Sequence, residues 1–98
     1  MERWKIYIAG RIGGLTEDVY VPKFKDAQNH LIQSGMEPIN PVELPHLHDR
    51  SWKSYMKEDL KALKECGHIY MLDNWYHSRG AKIELWFAKR YNKNVIFQ

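Results

Sequence analysis

Four short β-prone runs alternate with three amphipathic stretches along this chain, and that alternation constrains the fold more than any other feature. Residues 4–9 read as a first strand, which ends in Gly10-Arg11-Ile12-Gly13-Gly14. The spacing of Tyr20, Phe24, Ala27 and Leu31 predicts a helix over 19–34, with Pro22 in its first turn and Gly35 as its stop. Residues 36–40 form a weaker second strand, and 41–50 read as a proline-bounded loop or lid. Ser51 caps a helix running to about residue 66, and 68–72 is the third strand. A loop over 73–77, a helix over 79–91 and a last strand over 95–97 follow. An order of β-α-β-α-β-α-β argues for a parallel sheet with helices on both faces. The expected architecture is one domain over 1–98: a Rossmann- or flavodoxin-like three-layer sandwich, its sheet of about four strands in the order 2-1-3-4. Ligands of open parallel sheets bind beyond the C-terminal strand ends, here at loops 10–14, 40–50 and 73–78.

Two acids break the helical pattern. At about 100° per residue, Ala81, Leu85, Ala88, Tyr91 and Phe87 share one apolar arc, and Glu84 projects from within it, between Tyr91 and Ala88. On the preceding helix Trp52, Tyr55, Met56, Leu60, Ala62 and Leu63 define the apolar face, and Asp59 falls at its centre. A carboxylate on the buried side of a helix is costly unless it is paired, hydrogen-bonded or lining a cavity. Each acid read singly is as well explained by a structural pair with a Lys, Arg or Tyr. Two together near the ligand-binding edge suit chemistry through an oxocarbenium-like transition state. Tyr7, three residues before Gly10, is either a core tyrosine or a phenol aimed at a catalytic carboxylate.

The glycine loop after the first strand lets backbone N–H groups converge on an anion, with Arg11 adding charge. Its spacing is neither the dinucleotide fingerprint nor a P-loop, and a tight turn explains it equally well. Ser78 is an N-cap whose place also allows phosphate binding. A net charge of +3 with Lys and Arg scattered along helix faces suits a small anionic ligand and gives no duplex-binding stripe. No apolar run approaches the ~20 residues of a membrane span, and residues 1–4 lead straight into a strand, so no signal peptide is expected. The single cysteine, Cys66, excludes a disulfide framework and fits a reducing cytoplasm. Of the five histidines, only His46 and His48 alternate closely, and they ligate a metal only if other groups converge; no metal or cofactor is expected.

The segments Lys5-Ile6-Tyr7-Ile8-Ala9-Gly10-Arg11-Ile12, Asp59-Leu60 and Ser78-x-Gly80-Ala81-x-x-Glu84-Leu85 resemble the nucleoside 2-deoxyribosyltransferase-like superfamily over nearly the whole chain. A subgroup of small uncharacterised proteins, common in phages and prophages, shares the Tyr-Ile-Ala-Gly, Asn-Pro, Asn-Trp and Ser-x-Gly-Ala-x-x-Glu signatures. The resemblance implies that Glu84 is the nucleophile at the anomeric carbon, Asp59 the acid of the preceding helix and Tyr7 the strand tyrosine. Deoxyribosyltransferases carry an acid six residues before the nucleophile, where this chain has Ser78. A serine there resembles the 2′-deoxynucleoside 5′-monophosphate N-hydrolases, and by that match Gly10, Arg11, Ile12, Gly13, Ser78 and Gly80 cradle a phosphate. The hydrolases' phosphate-loop order of serine, isoleucine, arginine is not reproduced here.

The expectation is therefore cleavage or transfer of the N-glycosidic bond of a nucleoside or nucleoside 5′-monophosphate, with Trp75 or Tyr76 either stacking on the base or simply packing the loop. The alternative is the same pocket holding a nucleotide without turnover. The resemblance adds a homo-oligomer, with which the aromatic Trp86 on the polar side of its helix is consistent. The expected location is the cytoplasm, that of the host if the chain is phage-encoded.

Overall fold

A computed structural model of the chain describes residues 4–44 and 51–98. Its strands are β1 (Lys5–Ala9), β2 (Glu37–Ile39), β3 (His68–Met71) and β4 (Asn94–Phe97). Its helices are α1 (Glu17–Gln33), α2 (Trp52–Lys64) and α3 (Arg79–Arg90), with short 3₁₀ turns at Pro41–Glu43 and Trp75–His77. All strand pairs are parallel, in the order β2-β1-β3-β4. The fold is the Rossmann/flavodoxin-like sandwich expected from the alternation.

The side-chain alternation of a strand sorts the core into two layers. From β1, Ile6 and Ile8 point to one face, where Phe24, Ala27 and Leu31 of α1 cover them together with Leu72. Tyr7 and Ala9 point to the other, under Leu63 of α2 and Ala81, Leu85 and Ala88 of α3. Burial on both faces is why residues 6–9 are all buried rather than alternating with polar residues. Among the described residues one helix alone covers the α1 face, and it is narrower than four strands at about 4.8 Å spacing. Ile96 of β4, in register with Tyr70 on that face, is accordingly left exposed.

Local chemistry explains the helix limits. Thr16, in extended conformation, stands at the N-cap of α1, and Glu17 and Asp18 complement the positive helix end. The helix thus starts two residues before the predicted 19, and Pro22 lies beyond the first turn, where it withholds a backbone donor. Ser51 caps α2 by accepting from the N–H of Ser54. Tyr91, expected on the buried arc of α3, is instead its C-cap residue and is exposed, its ring against Phe87. No helix among the described residues is long and apolar enough to cross a membrane.

Candidate functional site

In this strand order β1 connects outward to β2, and the chain then returns across β1 to β3. The crevice between β1 and β3 is therefore the topological switch point where such sheets bind ligands. A cavity of about 640 Å³ opens there, within the range of small-molecule sites. The glycine loop after β1 forms one wall through Gly10, Ile12 and Gly13. The start of α3 forms another through Ser78, Arg79 and Gly80, and the first turns of α2 a third through Trp52, Tyr55 and Met56. Tyr7, Asp59 and Glu84 reach the same space, so the three residues expected to carry chemistry meet in one cavity.

Glu84 is the buried charge of the site, at 4% exposure. Its Oε2 accepts a 2.6 Å hydrogen bond from the hydroxyl of Tyr7, itself fully buried on β1. No Lys or Arg pairs with Glu84 among the described residues. Burial pushes the Glu84 carboxyl well above the usual carboxylate range, and the nearby charge of Asp59 raises it further, while the Tyr7 hydroxyl works the other way. Burial also pushes the Tyr7 phenol up, and the charges of Glu84 and Asp59 add to it, so Tyr7 stays a neutral donor. Asp59 is half-buried on α2. The two acids thus sit in each other's field inside one crevice.

The loops around them are tightly built. Gly10 passes so close to β3 that a Cβ there would lie 2.6 Å from Cδ1 of Leu72. Gly14 adopts φ +83°, inside a turn closed by the Leu15 N–H donating to the Ile12 carbonyl. Ser78 Oγ accepts from the Ala81 N–H at 3.1 Å, so the serine is an N-cap and lines the cavity at once. Gly80 lets α3 approach α2: a Cβ there would meet Met56 Sδ at 3.1 Å.

Some expected site residues stand elsewhere. The Arg11 side chain does not line the cavity; its Nε donates to the Gly13 carbonyl at 3.1 Å, and its guanidinium covers Gly14. What Arg11 contributes is its backbone N–H, which donates to Asn74 Oδ1 at 3.1 Å and ties the glycine loop to the loop after β3. Trp75 and Tyr76 also lie outside the lining. The Trp75 ring faces Phe97 of β4 at 5.9 Å and packs on the core, while Tyr76 is exposed beside His77. Among the described residues the aromatic rings that line the cavity besides Tyr7 are those of Trp52, Tyr55, Tyr20 and His77.

Helical spacing alone puts Trp52, Tyr55 and Tyr20 on core-facing arcs. The available signal was position: a helix that follows a parallel strand begins at the C-terminal sheet edge, so its first turn reaches the ligand crevice. Asn74 carries a subtler signal, a short polar side chain in the loop that follows a buried strand. Among the described residues no three His, Cys, Asp or Glu side chains group as metal ligands. His46 and His48, and most of the expected lid, lie outside the described residues.

A search of curated proteins gave no match to the chain. Residues 4–97 match the family model DUF4406, a domain of unknown function, and the chain belongs to that family.

Proposed function

We propose that the crevice holds a nucleoside or nucleoside 5′-monophosphate and that Glu84 acts at its anomeric carbon. The observation that carries this reading is the buried Glu84 carboxyl, bonded by Tyr7 and facing a cavity shared with Asp59. Either Glu84 attacks C1′ as the base leaves, or its charge stabilises the oxocarbenium ion. In the first case the C1′–N bond breaks as a C1′–O bond to Glu84 forms, and the base departs with the electron pair and takes up a proton. Water, or a second base, then displaces Glu84 from C1′. Asp59 orients the sugar or assists protonation of the leaving base. Tyr7 positions the Glu84 carboxyl and favours its ionised form. Gly10, Ile12, Gly13, Ser78 and Gly80 border a phosphate subsite, and Tyr55, which lines the cavity where Trp75 and Tyr76 do not, stacks on the base.

The upward displacement of Glu84 favours one other reading: a protonated carboxyl that donates to a bound nucleotide without turnover. Incubation with 2′-deoxynucleosides and their 5′-monophosphates, with free base followed by chromatography, separates the two. Catalysis releases base, and Glu84→Ala abolishes release while still binding ligand. Calorimetric binding with no base released leaves the holding module. The resemblance to deoxyribosyltransferases also supports a homo-oligomer, for which Trp86, 64% exposed on α3, supplies apolar surface.

A further inference from the structure

The cavity is acidic at its floor, where Glu84 and Asp59 reach it, and among the described residues only one Lys or Arg lines it. That residue is Arg79. Its guanidinium carbon lies 4.4 Å from the ring centroid of Trp52, across the mouth between α3 and α2. Among the described residues the guanidinium has no hydrogen bond or ion pair, so its donors keep their capacity for a ligand. Stacking on an aromatic face holds the planar fork in place and lowers the entropy lost when it closes on an anion. Its location is otherwise unfavourable: Arg79 is the first residue of α3, where the helix dipole disfavours a cation. Arg11, the other cation expected near a phosphate, is turned onto its own loop.

We infer that Arg79 is the residue by which this cavity selects a phosphate-bearing ligand over its phosphate-free counterpart, its guanidinium held ready on the face of Trp52. The inference rests on the nucleotide reading above and deepens it. An anion entering over two acids needs a fixed counter-charge at the rim, and Arg79 supplies it with a geometry that matches phosphate oxygens two at a time. Charge recognition then falls to a side chain of α3, while the glycine loop contributes backbone groups.

The test uses the full chain carrying Glu84→Gln, which blocks turnover, with and without Arg79→Ala. A 2′-deoxynucleoside, its 5′-monophosphate and inorganic phosphate are each titrated by calorimetry. Arg79→Ala is expected to weaken the monophosphate about 10–100-fold, the size of a lost hydrogen bond to a charged group, and to change the nucleoside by less than about threefold. Arg79→Lys, which keeps the charge but not the fork, is expected to fall between. Arg79 is exposed, so the variants should fold, and unchanged thermal unfolding confirms it. Equal loss for both ligands, no loss for either, or no binding of any of the three probes to the parent overturns the inference. Base release by the unsubstituted chain is scored separately. Release with no phosphate preference keeps the glycosidic reading and removes Arg79's role; phosphate-selective binding without release does the reverse.

Discussion

Tyr7→Phe deletes one hydroxyl from a fully buried ring and with it the 2.6 Å bond to Glu84. That length falls in the range of charge-assisted O–H···O⁻ bonds. A bond to an ionised group is worth about 1.5–3 kcal/mol and a neutral one about 0.5–1.5 kcal/mol. The hydroxyl therefore favours ionised over neutral Glu84 by about 1–1.5 kcal/mol, roughly one pH unit of its titration. The sign follows from proton counting. Glu84 titrates higher in the folded chain than in the unfolded one, so the native state holds the extra proton and stability falls as pH rises through that window. In Tyr7→Phe the titration stands higher still, so the fall continues to higher pH and is deeper. Urea unfolding of both proteins from pH 4.5 to 8.5 should show their stability gap widening by about 1–1.5 kcal/mol with rising pH, a midpoint separation growing by about 0.5–1 M. In a Glu84→Gln background the gap should be constant. A gap independent of pH with Glu84 present would refute the shared charge-assisted bond.

Three further outcomes follow from the same geometry. Glu84→Gln keeps shape and a Tyr7 acceptor but removes the buried charge. It should be more stable than the parent at pH 8 by about 1.4 kcal/mol for each pH unit of Glu84's elevation, with the advantage vanishing toward pH 4.5 in a thermal-melt series. Gly10→Ala forces a methyl to within 2.6 Å of Leu72 and should cost about 1–3 kcal/mol, seen as a melting point lower by several degrees. Ser78→Ala loses the α3 cap and should cost about 0.5–2 kcal/mol; it should also weaken nucleotide binding in calorimetry, whereas a purely structural cap would leave affinity unchanged.

Much of this molecule was readable because its signals are periodic. The β-α alternation led to the parallel sheet, and helical spacing exposed Glu84 and Asp59 as misplaced acids. Ser78 and Ser51 announced their caps. The misreadings arose where one pattern serves two purposes. Trp52 and Tyr55 fit a core-facing arc, yet that arc leaves the sheet and meets the crevice in the first turns of α2. Trp75, placed beside the crevice by chain order, is drawn into the core by β4 and Phe97, a contact between distant segments that no local pattern encodes. Arg11 illustrates a different limit: a long side chain beside an anion-shaped loop can close on its own backbone, and its direction is not a property of spacing. The same holds for Asn74, whose partner is 63 residues away.

The central claim is that the Glu84 carboxylate acts at a sugar carbon, and a rate comparison tests it most directly. The unsubstituted chain and Glu84→Gln, both first shown to bind a 2′-deoxynucleoside 5′-monophosphate, are mixed with it in excess over ligand and the free base is followed over a single turnover. Release by the unsubstituted chain is expected, with a loss of at least about 10³-fold in Glu84→Gln. Release by the two proteins within about tenfold of each other, or none from an unsubstituted chain that demonstrably binds the nucleotide, would contradict it.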